Sequence, residues 1–346
     1  MRVLREVEGQ IVDLERRRIT PGRIRVGAGR ILDMEETDVS GGPFILPGFV
    51  DAHVHVESSM VTPSRFAAGA VCHGTVGVVA DPHEIANVVG TDGVHFMIRD
   101  GRETPLKFAF CAPSCVPATP FESAGAEIDA TAVRTLLASG DIVALGEMMN
   151  FPGVIKGDPH VLAKLRAAAD AGVPVDGHAP GMRGADLDKY IAAGISTDHE
   201  SISLEEAREK AAKGMAILLR EGSAARNLDE LLPILESHPD LCMFCTDDIH
   251  PDDLLKGHIN RHVARAVERG LDLFDVLRCA CLNPVRHYNL PIGLLRVGDP
   301  ADFIMVRDLK RFEVLATVLE GRVAAEYGEA RFHPDQVEVP NRFAIH

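Results

Sequence analysis

The chain has 346 residues, of which 46% are hydrophobic and only 5% aromatic, and its formal net charge is −15. A chain of this length exceeds the size at which a single hydrophobic core usually stops growing, so we expect one large domain and a smaller one. The excess of acidic residues argues against binding to an anionic membrane surface and against binding to nucleic acid, whose phosphates bind Lys and Arg. No apolar run reaches membrane-spanning length, the N-terminus lacks a secretory signal, and the seven cysteines are scattered. We therefore expect a cytoplasmic protein.

Both ends of the chain contain short β-strand patterns that are broken by glycine or proline. These patterns lie at residues 10–14, 23–26, 30–34, 302–306, 313–319 and 322–325. Neither end is long enough to bury a core alone. We expect one small β-sandwich domain built from both termini, with residues 1–47 and 292–346 as its two parts.

Between residues 48 and 291, short apolar runs alternate with amphipathic stretches of helical length. The runs are too continuous for a sheet with one wet face and are typical of buried parallel strands. Eight strands are predicted, at residues 49–54, 76–80, 107–111, 142–146, 173–177, 195–198, 215–219 and 241–246. Helices are predicted at residues 64–73, 158–171, 185–193, 203–213 and 252–269. Repeated strand–helix units predict an α/β fold, a (β/α)8 TIM-like barrel.

The motif Asp51-Ala52-His53-Val54-His55 ends the first of these strands. Two histidines at positions i and i+2 of an extended segment point to one face, so both imidazoles can reach one metal ion. An isolated motif of this kind is a weak signal. Its place at the carboxyl end of a buried barrel strand, where such barrels keep their sites, favours a metal centre.

Other polar side chains follow later strands in the same way. Glu147, His178 and His199 come after the fourth, fifth and sixth strands, and Asp247 comes after the eighth. Glu147 needs a partner because an unpaired buried carboxylate is costly, and a salt bridge to Arg or Lys is the alternative to a metal. Asp247 can bind metal and accept a proton from a water molecule whose pKa a divalent cation lowers. Asp248 points to the other side, and we expect it to cap the next helix.

Further residues leave two interpretations open. Asp81 and His83, after the second strand, either contact substrate or a metal ligand, or they cap the following helix. Arg220, at the end of the seventh strand, contacts substrate or forms an exposed ion pair. His258 and His262 have an i, i+4 spacing, but residue 259 is Ile rather than the Glu of a zincin, so we expect a solvated helix face.

These motifs resemble the adenine deaminase family of the amidohydrolase superfamily. The resemblance is carried by residues 47–63, 80–88, 146–154, 176–181 and 246–248. The two histidines of the first strand alone would indicate only the superfamily. The sequence Glu57-Ser58-Ser59 and the stretch from Gly146 onward resemble adenine deaminases in particular.

The resemblance implies a binuclear centre with two divalent metal ions, Mn²⁺ in first place and Fe²⁺ or Zn²⁺ as alternatives. The implied ligands are His53, His55, Glu147, His178, His199 and Asp247, with Glu147 bridging the ions. The implied reaction is the hydrolytic deamination of adenine to hypoxanthine and ammonia, in which Asp247, Glu147 and His83 are catalytic. Asp247 would take a proton from the attacking water and return it to the departing amine. We expect Glu57, Ser58 and Asp81 to bind the substrate ring.

Two departures from the family pattern concern the substrate. Typical members continue beyond this chain with a further C-terminal region, and Ile249 stands where an arginine is expected. Two alternatives therefore stay open: the hydrolysis of another aminated heterocycle or cyclic amide, and a catalytically silent metal-binding relative. The expected partners are a small-molecule purine base and further copies of the chain in a homo-oligomer, with no nucleic acid and no membrane.

Overall fold

Strands are spread along the whole length of the computed structural model, which describes residues 1–38, 41–119, 121–335 and 337–340. Four come first: β1 (Glu6–Asp13), β2 (Arg18–Gly27), β3 (Arg30–Glu36) and β4 (Phe44–Pro47). The central strands are β5 (Phe49–His55), β6 (Thr75–Ala80), β7 (Lys107–Ala112), β8 (Ile142–Met148), β9 (Val175–Gly177), β10 (Thr197–Asp198), β11 (Ala216–Arg220), β12 (Cys242–Cys245) and β13 (Asp247–Asp248). The last are β14 (Phe303–Val306), β15 (Val314–Leu319), β16 (Arg322–Glu326) and β17 (Glu329–Ala330).

The central strands are parallel and curl around one another. Strands β5 to β9 form one sheet, and β13 pairs with the free edge of β5. Strands β10 to β12 form a second sheet, and an isolated parallel bridge between Val175 and Ile195 joins the two sheets. Every residue of β5 and of β6 is buried, as expected of parallel strands that are covered on both faces. The arrangement is a TIM-like barrel, which confirms the predicted α/β class.

Helices follow most of the barrel strands. They are α1 (Pro63–Ala70), α2 (His83–Val89), α3 (Thr91–Gly101), α4 (Ala130–Leu137), α5 (Phe151–Lys156), α6 (Pro159–Ala171), α7 (Gly184–Ala192), α8 (Leu204–Ala212), α9 (Leu228–Leu231), α10 (Pro251–Leu254), α11 (Ile259–Glu268), α12 (Leu273–Leu277) and α13 (Asn283–His287). Helix α6 begins as predicted, because the Asp158 carboxylate accepts from the first-turn amides and Pro159 stands at the first position. The single helix predicted at 252–269 is instead α10 and α11, because the backbone of His258 leaves the helical region.

Strands from both ends of the chain form one sheet in the order β17-β16-β15-β14-β4-β1-β2-β3. Strand β4 joins the two halves, since it pairs in parallel with β1 and antiparallel with β14. A small core on this sheet is separate from the main barrel core and contains Ile24, Ile31, Phe303 and Val318. The two termini therefore share one sheet, and its sandwich form and the domain boundaries stay predictions.

Two further properties bear on the composition. Within the described ranges, no helix combines the length and the apolar character needed to cross a membrane. All seven cysteines fall in these ranges, and their thiols are free. Six of the seven are buried, and burial raises the pKa of thiols such as Cys242 and Cys281. These thiols are therefore protonated small hydrophobes rather than thiolate ligands.

Candidate metal centre

His53 and His55 lie inside the barrel at the end of β5, and both are buried. Their Nε2 atoms are 3.1 Å apart. His55 Nδ1 lies 2.9 Å from the carbonyl oxygen of Asp81. Because a carbonyl oxygen can only accept, His55 donates through Nδ1, and Nε2 is the nitrogen that faces Glu147 and Asp247. The two imidazoles thus share one face, as the sequence spacing predicts, and His55 is oriented for metal ligation.

Glu147 presents its two carboxylate oxygens to different histidines. In β8 and only 3% exposed, it places Oε1 3.3 Å from His55 Nε2. Its Oε2 lies 2.6 Å from His178 Nδ1 and 3.2 Å from His199 Nε2. Burial acts to raise the pKa of Glu147, but hydrogen bonds from these three histidines outweigh it and hold the pKa well below the ordinary value. An ionised carboxylate in this position can bridge the two sets of imidazoles.

Asp247 faces the same point from β13. Its Oδ1 lies 3.2 Å from His55 Nε2 and 3.5 Å from His53 Nε2, and its Oδ2 accepts a 2.7 Å hydrogen bond from Arg220 Nη1. The backbone of Asp247 is left-handed, with φ 57°, which is strained for a residue other than glycine. Burial acts to raise its pKa, but hydrogen bonds from His53 and His55 outweigh it and lower the pKa strongly. Asp247 is therefore ionised, with one oxygen held by Arg220 and the other directed at the histidines.

Asp51 holds the strained turn at Thr246 and Asp247 in place through hydrogen bonds to Thr246. Its Oδ1 accepts from the Thr246 amide at 3.0 Å, and its Oδ2 accepts from the Thr246 hydroxyl at 2.5 Å. Asp51 Oδ2 also lies 3.0 Å from His258 Nε2. Since Asp51 belongs to β5 and Thr246 precedes Asp247, this buried carboxylate ties the first barrel strand to the last.

The six predicted ligands come together in overlapping groups whose nitrogen and oxygen atoms lie within 4.8 Å of one another. The groups made of these ligands are His53/His55/Glu147, His53/His199/Asp247 and Glu147/His178/His199. Imidazole nitrogens mixed with carboxylate oxygens suit divalent Mn, Fe or Zn. His55 Nε2 lies within 3.3 Å of a second imidazole nitrogen and of two carboxylate oxygens, and a cation stabilises such a set of donor atoms. The residues present therefore fit a divalent metal.

The loop after β6 supports Glu147. Asp81, 1% exposed, accepts a 2.9 Å hydrogen bond from the Glu147 amide through Oδ2. His83 Nδ1 lies 3.5 Å from Glu147 Oε1 and 3.7 Å from Asp81 Oδ2. Burial acts to lower the pKa of His83, but the nearby Asp81 carboxylate outweighs it and raises the pKa to about 9. In the described part of the chain no side chain caps α2, so the helix-cap interpretation of Asp81 is wrong, and what the structure shows is contact with the backbone of Glu147, a predicted ligand.

Glu57 and Ser58, the predicted substrate contacts after β5, are half-buried. Glu57 Oε1 accepts from the Ile85 amide at 3.2 Å, and burial, together with the charge of Glu84, raises the pKa of Glu57 to about 7. Ser58 Oγ donates to Asp248 Oδ1. Helix α10 has no side-chain cap, so the prediction that Asp248 caps it is wrong. The short strand β13 holds Asp248 beside β5 instead.

Two other expectations are wrong about burial. Arg220 is only 5% exposed and pairs with Glu200 and Asp247, so its ion pair is buried rather than exposed. His258 and His262 are 1% and 2% exposed rather than solvated. His258 reaches Asp51, and His262 Nε2 lies 3.0 Å from the carbonyl oxygen of Cys245. Helix α11 packs this face on the barrel, and the i, i+4 spacing serves contacts with the strands.

Two carboxylates near the centre are absent from the sequence-based set. Glu84 Oε1 lies 3.4 Å from His83 Nε2 and 3.5 Å from His55 Nδ1. Glu200 Oε1 lies 3.7 Å from His199 Nε2 and also pairs with Arg220. Each directly follows a predicted site histidine in the sequence. That adjacency is the signal that could have identified them.

Comparison with known proteins gives both family and fold. Residues 44–324 match the model of the Amidohydrolase family. The adenine deaminase of Salinibacter ruber is 56% identical over 337 residues, covering 97% of this chain and 62% of that protein. The adenine deaminase of Methanosarcina mazei is 54% identical over 341 residues, covering 98% of this chain and 61% of that protein. This chain thus spans about three fifths of the length of these curated relatives.

Solved structures share the architecture at low sequence identity. A beta-aspartyl dipeptidase from Fervidobacterium islandicum aligns with a TM-score of 0.69 at 15% identity, over 97% of this chain and 100% of that one. An N-acetyl-D-glucosamine-6-phosphate deacetylase from Mycobacterium smegmatis aligns with a TM-score of 0.68 at 16% identity, over 93% and 100%. At such identities the likeness concerns the fold alone.

Proposed function

This chain belongs to the amidohydrolase family, and we propose that it is a metal-dependent hydrolase that deaminates adenine to hypoxanthine and ammonia. The observation that carries the reaction class is the convergence of four imidazoles and two carboxylates, with the oxygens of Glu147 facing separate histidines. The choice of adenine is supported by relatives of that name at 56% and 54% identity.

Two divalent ions, Mn²⁺ in first place, are part of the proposal. His53, His55 and Asp247 would hold one, His178 and His199 would hold the other, and Glu147 would join them. The group Glu147/His178/His199 supports the second position, and the group His53/His55/Glu147 supports the first. Asp247 is placed with the first because its Oδ1 lies 3.2 Å from His55 Nε2 and 3.5 Å from His53 Nε2. When bound, such ions act as Lewis acids and lower the pKa of water toward neutrality.

Asp247 is the proposed base. Because its pKa is low, the carboxylate is ionised at neutral pH and can accept a proton from the attacking water. Arg220 holds Oδ2, so Oδ1 is the oxygen that receives the proton and returns it to the departing amine. The contact also fixes the carboxylate in one orientation, which a proton carrier between two reactants requires.

His83 and Glu57 are the proposed contacts of the ring. With a pKa of about 9, His83 is charged at neutral pH, and its side chain is 16% exposed, so it can donate to a ring nitrogen. Glu57, with a pKa of about 7, is present both as donor and as acceptor near neutrality, which suits an amidine edge that offers one of each. Ser58 lies next to it in the same short 3-10 helix, Val56–Ser59, and is also half-buried. Asp81 is buried under Glu147, so we propose that it positions that ligand while His83 meets the substrate.

The proposal is tested by adding manganese-loaded protein to adenine and following the loss of its ultraviolet absorbance together with ammonia release. We expect equal amounts of adenine consumed and ammonia formed. We expect no reaction with adenosine, because the adenine deaminase family, which this sequence resembles, acts on the free base. His178→Ala is the matched negative control. Consumption of another aminated heterocycle or cyclic amide in place of adenine would correct the substrate. No turnover on a broad panel, with both ions bound, would favour a catalytically silent metal-binding protein.

The finer architecture is also a proposal. We infer that eight strands close the barrel over residues 48–291, and that residues 1–47 and 292–346 form the two parts of the small domain. The pairing of β13 with β5 and the bridge between Val175 and Ile195 support closure. The shared terminal sheet with its own core supports the division. A homo-oligomer stays a prediction, for which light scattering is the direct measurement.

A further inference from the structure

Helix α8 carries a lysine that is completely buried. Lys210 is 0% exposed, and Glu206, one helical turn earlier, is 2% exposed. An ammonium group in such a position needs several polar partners, because a buried charge without them is very costly. Lys210 Nζ donates to Glu206 Oε1 at 2.6 Å, the Ala179 carbonyl at 2.7 Å, Asp198 Oδ2 at 2.9 Å and Ser201 Oγ at 3.1 Å.

Three of these partners, Ala179, Asp198 and Ser201, lie beside the proposed metal-site histidines at the ends of β9 and β10. Ala179 directly follows His178, whereas Asp198 and Ser201 flank His199. Lys210 therefore touches the loop after β9 and the loop after β10 at the same time. We call Lys210, Glu206, Asp198 and Ser201 the α8 anchor.

The carboxylates of the α8 anchor hold the backbone of the same loops. Asp198 Oδ1 accepts from the Ala179 amide at 2.9 Å. Glu206 Oε1 accepts from the Gly181 amide at 2.8 Å, and its Oε2 accepts from the Ile202 amide at 3.1 Å. One buried carboxylate thus bridges the two loops directly, and Lys210 neutralises charge at the point where they meet.

We propose that Lys210 and Glu206 are positioning residues for His178 and His199, and that the α8 anchor thereby controls retention of the metal ion held by these two histidines. The inference rests on the proposed two-ion centre. Among the residues that the structure describes, no hydrogen bond or ion pair joins the anchor to His53 or His55: these two are part of β5, and His55 is oriented by the Asp81 carbonyl. The anchor should therefore act on one ion and not on the other.

A merely structural ion cluster makes a different prediction. Loss of a buried ion-pair partner would then lower the stability of the whole chain and would leave the relative retention of the two ions unchanged. Selective loss at one position, together with loosening of the Ala179, Gly181 and Ile202 amides, separates positioning from general stability.

The test uses Lys210→Met, with Lys213→Met as the matched control. Lys213 comes directly after α8, has a 30% exposed side chain and pairs with Asp188 at the surface. Each protein is loaded with Mn²⁺, its metal content is measured, and release to a chelator is followed in time. Hydrogen exchange of the metal-free proteins is measured in parallel at the Ala179, Gly181 and Ile202 amides.

We expect Lys210→Met to bind one ion about 10- to 100-fold less tightly than the wild type, the range typical for loss of a residue that orients a ligand, and to release that ion correspondingly faster. The second ion should keep its wild-type rate, and the three amides should exchange faster. Lys213→Met should match the wild type in both measurements. Wild-type release of both ions from Lys210→Met, with unchanged exchange, overturns the proposal, and so does equal acceleration of both ions.

If Lys210→Met does not fold, Ser201→Ala tests the proposal in its place. Ser201 Oγ donates to Asp198 Oδ2 at 2.7 Å, so its removal weakens the anchor and leaves every charge paired. A smaller change in the same direction supports the proposal, and no change in release or exchange contradicts it. If the wild-type protein binds fewer than two ions, the proposed two-ion centre is contradicted. Hydrogen exchange of the metal-free proteins still tests the α8 anchor in that case, so the two failures can be told apart.

Discussion

Replacement of His262 by glutamine should remove part of the acid sensitivity of the metal-free protein. His262 is 2% exposed in α11, and burial lowers the pKa of its imidazole from 6.5 to about 4. The folded protein therefore keeps this ring neutral at a pH where the unfolded chain binds a proton. Because the unfolded state binds more protons, the free energy of unfolding falls as the pH drops from about 6.5 to about 4.

The size of the effect follows from the two pKa values. One pKa unit corresponds to about 1.4 kcal/mol, so His262 should account for a loss of about 2 kcal/mol between pH 7 and pH 5. Glutamine does not titrate, and its amide can still donate to the Cys245 carbonyl, which lies 3.0 Å from His262 Nε2. The variant should begin less stable at pH 7, because it packs less well, and then lose less stability on acidification.

Urea unfolding of metal-free wild type and His262→Gln at pH 7 and pH 5 measures this difference directly. Titration of every other group contributes to both proteins and cancels in the comparison. His160→Gln, at the exposed start of α6, is the control and should follow the wild-type pH profile. If His262→Gln loses as much stability as the wild type between the two pH values, the buried imidazole is not the origin of the acid sensitivity.

Three further predictions concern the metal centre. When both ions are bound, Asp247→Asn should lower kcat for adenine by about 10²- to 10⁴-fold. Manganese content is therefore measured beside the rate. Near-wild-type turnover by the variant with both ions bound would rule out Asp247 as the base. Gly146→Ala should reduce manganese content, since its Cβ would lie 2.2 Å from the Asp81 Oδ2 that accepts from the Glu147 amide. Full metal content in this variant would show that Asp81 does not hold Glu147. His178→Ala should reduce bound manganese from two ions toward one by elemental analysis, and simultaneous loss of both ions would contradict separate positions.

The predicted ligands could be chosen from the sequence because each lies at the carboxyl end of a buried strand or directly after it. A parallel strand buried on both faces is a continuous apolar run, and the next polar residue falls at the carboxyl end of the barrel. Glu147, His178 and His199 are all found in this way. The backbone pattern alone brings such residues to one edge of the barrel, so their meeting needs no knowledge of side-chain contacts.

Burial of the other polar residues could not be read in the same way. His258 and His262 have the spacing of a solvated helix face, yet His258 faces Asp51, which lies far away along the chain. Arg220 looks like a surface residue until Asp247 and Glu200 are placed beside it. Whether a charged side chain is buried depends on a partner contributed by another strand or helix, and periodicity carries no information about that partner.

The same distinction explains how the centre is held in place. The Tyr190 hydroxyl of α7 accepts from the His178 amide at 3.0 Å and donates to the Met148 carbonyl at 2.8 Å, which links the ends of β8 and β9. The Asn227 amide group donates to the His199 carbonyl at 2.9 Å. Both contacts fix backbone and leave the imidazole nitrogens free to face the centre. Side chains from the outer layer therefore set the positions of the proposed ligands, which would supply the chemistry.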